Sequence, residues 1–298
     1  MKVSVCMVTY NHADFIGKAI ESVLTQNTED FTIELVIGED NSKDATRQIC
    51  VDFKKKYPNK VKLLLHESNL GPVPNFVETL SQCDGDFIAL CEGDDMWSDE
   101  NKLRKQVAFL NENSDYIMCG HNATVTYEKG LNPPHPFNEK ILTEEVTIND
   151  IFDNWFIPTA SIIFKRNALK NLPEWFPYIY HEDYALQLLL ADKGKVQYMN
   201  EELCIYRKNF SALSYKTSIS FNYKKLIELF IKLNEYFDYK YNRIISQKVL
   251  VFQERLLAAK RKEATKFFSP FFIFNSLMNP FNRIMVRNRS GEIKIIRY

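Results

Sequence analysis

Short apolar runs and helical segments take turns along the first third of this chain. The runs Val3–Val8, Ile33–Ile37, Val61–Leu65 and Phe87–Cys91 have the length and composition of buried strands. Between them, apolar residues recur at helical spacing. Ile16, Ala19, Ile20, Val23 and Leu24 mark one helix within 14–25. Ile49 and Phe53 mark a second within 44–56, with Ser42 placed to cap it, Asp44 in its first turn and Pro58 after its end. Val73, Phe76, Val77 and Leu80 mark a third. Strand, helix and strand in series predict a parallel sheet joined by right-handed crossovers. At 298 residues, the chain is long enough for one such α/β domain and an appendage.

The fourth run ends in charge. Asp86-Phe87-Ile88-Ala89-Leu90-Cys91-Glu92-Gly93-Asp94-Asp95 reads as a strand, a tight turn at Gly93 and two carboxylates at the strand's C-terminal end. Open α/β sheets bind their ligands at that end. Two anions 4 Å apart repel by about 4 kcal/mol at an effective dielectric near 20. A divalent cation with oxygen ligands, shared with a phosphate, would offset that repulsion; a solvated Asp-Asp turn is the plainer alternative. The first strand ends in Thr9-Tyr10-Asn11, and the second in Gly38-Glu39-Asp40-Asn41-Ser42. Parallel strands bring these ends to one crevice, where Asp40 either accepts hydrogen bonds from a base or serves a turn. The sequence has no Gly-x-Gly-x-x-Gly and no Gly-Lys-Ser/Thr loop, which leaves the phosphate work to a metal.

Downstream, Leu103, Val107 and Leu110 predict a helix over 99–112, and strands are expected at 116–126, 160–165, 196–199 and 203–206. Pro133-Pro134 and Pro136 make 130–140 irregular. A second acidic pair, in His181-Glu182-Asp183, opens a helix expected at 183–192. Acids are favoured at a helix N-terminus on electrostatic grounds alone; a general base is the functional reading. Residues 218–265 look like a helical hairpin.

Net charge is zero, yet residues 243–298 hold 12 Lys+Arg against 3 Asp+Glu. The aromatic stretch Phe267–Phe274 lies among these cations, a pattern that suits an anionic lipid surface, or else packing on the domain or on a second subunit. The six cysteines have no Cys-x-x-Cys spacing and are expected to be buried, reduced thiols of a cytoplasmic protein. Val3–Val8 is too short for a signal peptide, and no window approaches the ~20 apolar residues of a spanning helix. The expected location is cytoplasmic, peripheral at a membrane if the tail binds lipid.

Taken together, Val3–Asn11, Val36–Thr46, Asn69–Asn75, Asp84–Leu103, His181–Asp183 and Tyr206-Arg207 with Ser211 and Ser214 resemble the family 2 glycosyltransferases of the GT-A fold. The resemblance covers about the first 215 residues, leaving 216–298 as a helical, basic extension. It implies a Rossmann-like, mostly parallel sheet with helices on both faces. It also implies transfer of a sugar from a nucleotide-diphosphate donor, a UDP-sugar above all, to a glycan or lipid-linked acceptor, with inversion and with Mn²⁺ or Mg²⁺. The bacterial surface-polysaccharide enzymes are the relevant branch. By the same resemblance, Thr9, Tyr10 and Asp40 contact the nucleobase side of the donor, Asp94 the ribose, and Asp95 the metal. Arg207 contacts a phosphate, Asp183 is the base, and Glu182 and Trp97 support the acceptor or a loop. Two departures stand out: Glu92 replaces a common Asp, and Lys208-Asn209 lies where many members carry His. A sugar-nucleotide pyrophosphorylase, a non-catalytic nucleotide-sugar binder and a membrane scaffold are the alternatives. The first would want a basic, Gly-rich loop after the first strand, where this chain has Thr9-Tyr10-Asn11-His12.

Overall fold

The structure, a computed structural model, describes residues 1–140, 143–169, 171–209, 217–267, 283–287 and 293–297. It divides into two compact units, Met1–Lys216 and Thr217–Tyr298. In the first, β1 (Lys2–Thr9), β2 (Thr32–Glu39), β3 (Val61–Leu65) and β4 (Phe87–Leu90) pair in parallel in the order β3-β2-β1-β4. Helices α1 (Ile16–Leu24) and α2 (Thr46–Lys56) make the crossovers outward from β1. Helix α3 (Pro72–Ser81) carries the chain back across to β4, so right-handedness puts it on the opposite face. Val5, Met7, Leu35, Ile37 and Ala89 are fully buried between these layers, because strands covered on both faces have no polar side.

The sheet continues β4-β9-β6-β10-β5, through β9 (Ile163–Lys165), β6 (Tyr116–Tyr127), β10 (Lys195–Lys208) and β5 (Met96–Trp97). β9 runs antiparallel to both of its neighbours, whereas β6 and β10 are parallel to each other. β1–β4, β6 and β10 therefore run one way, while β9 and the terminal β5 run against them. Short strands β7 (His135–Pro136) and β8 (Glu145–Val146) pair with β6 and β10 from the side. Helices α4 (Lys102–Glu112), α5 (Ile148–Asp153) and α6 (Glu182–Ala191) complete the unit.

Several local expectations change. Ser42 does not cap α2, which starts at Thr46; its hydroxyl accepts from Asn11 N–H at 2.9 Å, tying the loops after β2 and β1 together. The strands expected at 196–199 and 203–206 are one strand, β10, with register shifts between Met199 and Cys204. A bulge around exposed Glu201 and Glu202 mimicked a break. The expected strand at 160–165 begins only at Ile163, because Thr159–Ser161 form a 3₁₀ turn.

In the second unit, α7 (Ile219–Tyr236) and α8 (Asn242–Phe267) form the helical hairpin, with Ser218 accepting from Phe221 N–H as the N-cap of α7. Phe230 and Phe252 meet edge to face at 5.2 Å in its core. A two-stranded hairpin, β11 (Arg283–Arg287) with β12 (Ile293–Arg297), follows. Most of the aromatic stretch singled out in the sequence, residues 268–274, lies outside the described residues, as do Ser211 and Ser214. Among the described residues, no helix is long and apolar enough to cross a membrane.

Candidate active site

Strand order reverses between β1 and β4: from β1 the chain moves out to β2, and β4 lies on its other side. Such a switch point opens a crevice at the C-terminal strand ends. Thr9 and Tyr10 close β1, and Glu92–Asp95 follow β4. Gly93 lets the two ends touch, since a Cβ there would lie 2.6 Å from the Thr9 hydroxyl. Thr9 is accordingly buried, with its hydroxyl 3.3 Å from His12 Nδ1, whereas Tyr10 is 39% exposed at the rim. Asn11 and Asn41 both adopt left-handed backbone, φ 55° and 57°, at these strand ends. Strain of that kind collects at sites that over-determine it. The Asn11 side chain accepts from Lys43 N–H at 2.8 Å, so each loop holds the other.

Asp40 serves the loop around it. Its carboxylate is 1% exposed and accepts from Leu70 N–H, Gly71 N–H and the Asn69 amide at 2.7–3.0 Å, fastening the loop before α3. Glu39 beside it is buried and paired with Arg47 at 2.5 Å. Arg207, expected at a phosphate, has main-chain partners around the acidic turn. Its Nε donates to the Asp94 carbonyl at 2.5 Å and its Nη2 to the carbonyls of Asp95 and Phe15, while the guanidinium lies over the Phe15 ring. A planar fork suits several fixed oxygens, and here they are main-chain oxygens of the acidic turn.

The two acids of that turn differ. Asp95 is 2% exposed, and one of its oxygens accepts from Arg207 N–H at 2.9 Å. Burial, then the Asp94 charge, pushes its carboxyl well above the ordinary range, against the pull of Arg207. Asp94 is partly open; Asn209 donates to it at 3.0 Å, and His12 Nε2 lies 3.7 Å away. Asn209 thus stands where the sequence lacked the common His, as a neutral donor. Both acids offer hard oxygens suited to Mg²⁺ or Mn²⁺. Among the described residues no cluster of three His, Cys, Asp or Glu side chains that could hold a metal ion is found.

The second acidic pair shares a cleft with the first region. Glu92, Thr159, Glu182 and Asp183 line a cavity of about 20 Å³ together with Phe76 and Leu90. Burial, followed by the charges of Asp94, Asp95, Asp183 and Glu182, drives the Glu92 carboxyl well up, so both pairs act on it. At the start of α6, Asp183 accepts from Tyr184 N–H at 2.8 Å and from the Thr159 hydroxyl at 3.1 Å. Burial raises its carboxyl to about 6, with those two donors restraining the rise. Burial and then Asp183 raise Glu182 to about 8. Both carboxyls are thus raised by burial, and of the two it is Asp183 that has donors favouring its charged form.

Thr159 is the partner that sequence reasoning missed, together with the side chains that hold its turn. Trp97 is 3% exposed, so it faces the core and no acceptor; its indole N–H donates to the Ala160 carbonyl at 2.8 Å, which makes it a loop support. Gln106 donates to the Ser161 carbonyl at 2.8 Å, and Lys102 donates to Gln106 Oε1 at 2.9 Å. Lys102 is fully buried, 4.1 Å over the Trp97 ring, and burial lowers its ammonium to about 8. The Lys102 and Gln106 spacing on α4 was readable as one helix face, but nothing in the sequence linked that face to residue 159.

Comparison with known proteins agrees with this arrangement. The curated relatives matched over 213 residues include an uncharacterised Mycobacterium tuberculosis protein, 29% identical over 69% of this chain. The chain spans only 58% of the length of that protein. The Escherichia coli protein WfgD, a UDP-Glc:alpha-D-GlcNAc-diphosphoundecaprenol beta-1,3-glucosyltransferase, is 29% identical over 66% of this chain and 73% of its own. Among solved structures, Staphylococcus aureus TarS in complex with UDP-GlcNAc aligns at a TM-score of 0.61, with 21% identity over 87% of this chain and 73% of that one. A Pyrobaculum calidifontis mannosyltransferase, PcManGT, in complex with GDP-Man and Mn²⁺, aligns at 0.59, with 16% identity over 90% and 76%. At those identities the structures share the GT-A fold and nothing finer. The profile of glycosyl transferase family 2 matches residues 4–172, more than half of the chain, and with the sheet, the switch point and the acidic turn in place, the chain belongs to that family.

Proposed function

We propose that this chain transfers a sugar from a nucleotide-diphosphate donor, a UDP-sugar, to an acceptor hydroxyl with inversion, in the synthesis of a bacterial surface polysaccharide. The observation that carries this is Asp183: a carboxylate fixed by two donors, lining one small cavity with Glu92 of the β4 acidic turn. Asp183 takes the acceptor's proton as the acceptor oxygen bonds to the anomeric carbon. The bond from that carbon to the diphosphate breaks, and its electron pair leaves with the phosphate. Asp95 would hold Mn²⁺ or Mg²⁺, which as a Lewis acid would take up charge on the departing diphosphate, and Asp94 would contact the ribose. Tyr10, at the rim of β1, would meet the nucleobase, with Thr9 and Asp40 behind it. Glu182 would support the acceptor or its loop. The names of WfgD and TarS support a UDP-sugar donor, and that of WfgD a lipid-linked acceptor. The basic C-terminal extension would seat the enzyme on the anionic inner face of a membrane.

The test is thermal. UDP with Mn²⁺ binds the folded state, and ligand at a hundredfold excess over Kd adds about 2.7 kcal/mol, which is several degrees in Tm. UDP-glucose and UDP-N-acetylglucosamine incubated with Mn²⁺ and no acceptor should slowly release UDP, with water as acceptor. No Tm shift with any nucleoside diphosphate, and no release from any sugar nucleotide, would sink the reading.

A further inference from the structure

Tyr206 stands where the two acidic regions meet. Strand β10 pairs antiparallel with β5, Cys204 opposite Trp97 and Ile205 opposite Met96. The same register brings residue 206 level with Asp95, and the N–H of Arg207 donates to the Asp95 carboxylate at 2.9 Å. Residues two apart on a strand share a face. Cys204 is buried in the core with Trp97, and Tyr206 packs, partly buried, against that same core, with its ring edge to face with Phe137 at 5.9 Å. Its hydroxyl lies in the field of four carboxyl groups. Behind burial, the charges of Asp95, Glu92, Asp94 and Asp183 act on it in that order, and together they hold its proton on. Among the described residues that hydroxyl has no hydrogen-bond partner.

Chemistry narrows what this hydroxyl is for. Ionised carboxylates only accept hydrogen bonds. Other donors around the cleft are engaged: the Arg207 guanidinium with main-chain carbonyls, the Asn209 amide with Asp94, and the Thr159 hydroxyl with Asp183. A ligand rich in hydroxyls needs both kinds of partner, because each hydroxyl donates and accepts. In an inverting displacement the leaving diphosphate and the incoming oxygen lie on opposite sides of the anomeric carbon. A group reached by both the Asp95 and the Asp183 charge stands beside what lies between them, the sugar in transit. We propose that Tyr206 contacts the transferred sugar directly, its hydroxyl donating to one of the sugar's ring hydroxyls, and so helps to select the donor. This rests on the glycosyl-transfer reading and deepens it: it assigns recognition of the sugar, as distinct from the nucleotide, to a residue of β10.

The experiment compares the full-chain wild type with Tyr206→Phe, with Mn²⁺ present throughout. Calorimetric titration measures binding of UDP, UDP-glucose and UDP-N-acetylglucosamine. UDP should bind both proteins alike. The sugar nucleotide that binds the wild type more tightly should bind the variant about two- to tenfold more weakly, the contribution of one hydrogen bond. Analogues of that sugar nucleotide, each lacking one ring hydroxyl, then locate the contact. For one of them the two proteins should bind alike, because the hydroxyl that accepts from Tyr206 is gone. The free variant should keep the wild-type Tm, since the lost hydroxyl has no partner in the fold. Four results would refute the contact while the transferase reading stands: UDP binds and neither sugar nucleotide does, the variant binds the sugar nucleotide as well as wild type, it loses UDP by the same factor, or every analogue preserves the difference. If UDP does not bind the wild type, the UDP-sugar transferase reading falls and takes the contact with it.

Discussion

The two acidic pairs solve the same electrostatic problem by different means. Glu182-Asp183 opens a helix, and Asp183 draws on a main-chain N–H and a hydroxyl supplied locally. Asp94-Asp95 follows a buried strand, and its support comes from Arg207 and Asn209, more than a hundred residues away. The first pair needs no outside charge to keep one member ionised near neutrality. In the second, burial and the Asp94 charge drive Asp95 well up despite Arg207. On the proposed function, one pair would move a proton and the other would hold the metal.

The sharpest way to break that contrast is to neutralise one member of each. Asp183→Asn is expected to lower transfer, or donor hydrolysis, by about 10²–10⁴-fold and to leave the Mn²⁺-dependent Tm shift by UDP unchanged. Asp95→Asn is expected to remove that shift and the activity together. If both variants lose nucleotide affinity equally, the division of roles is wrong.

The next effect is on stability. Glu182 is raised from 4.5 to about 8 in the folded state, so between those values the folded chain binds more protons than the unfolded one. Stability then falls as pH rises; this contribution is whole below about 4.5 and is lost through about 8. Glu182→Gln cannot lose a proton, so its Tm relative to wild type should rise from pH 5 to pH 9 by several degrees. A difference that stays flat with pH would mean that Glu182 is charged throughout.

Gln106→Leu tests the brace behind the base. It leaves the Ser161 and Cys119 carbonyls without their amide donor, at a cost of about 1–3 kcal/mol, which denaturant unfolding would measure. Because the turn carrying Thr159 loosens, the pH midpoint of activity should also move upward, which a purely structural loss would not cause. Thr159→Val gives the smallest effect and the cleanest. Removing the hydroxyl that restrains Asp183 should raise the midpoint of the pH–rate profile from near 6 by under about one unit, with the plateau at high pH little changed. An unchanged midpoint would show that the Thr159 contact does not act on the base.

The same contrast explains what could be read in advance. Strands β1–β4 were legible because each is a short apolar run parted from the next by a segment of helical period; that β4 pairs with β1 and not with β3 was not. The acidic turn was legible as a strand that ends in two carboxylates. The main-chain partners of Ser42 and Arg207 were not, because they depend on which distant groups arrive beside them. Ser42 satisfies the loop after β1 instead of its own helix, and Arg207 donates to main-chain carbonyls of the acidic turn. β10 hid its continuity because a bulge breaks the period-two pattern without ending the strand. Thr159 carries no signal of its own; only the fold brings it to Asp183.

The buried cysteines give the switch point a clock. Cys6 and Cys91 lie on β1 and just after β4, fully enclosed, and burial holds both thiols far above their ordinary range. The thiolate is the reactive form, so neither should react with a disulfide or maleimide reagent while the sheet is closed. Labelling at either sulfur would therefore count the moments when β1 and β4 part. The slowing of that count by a bound nucleotide would time how firmly the ligand holds the two strands together.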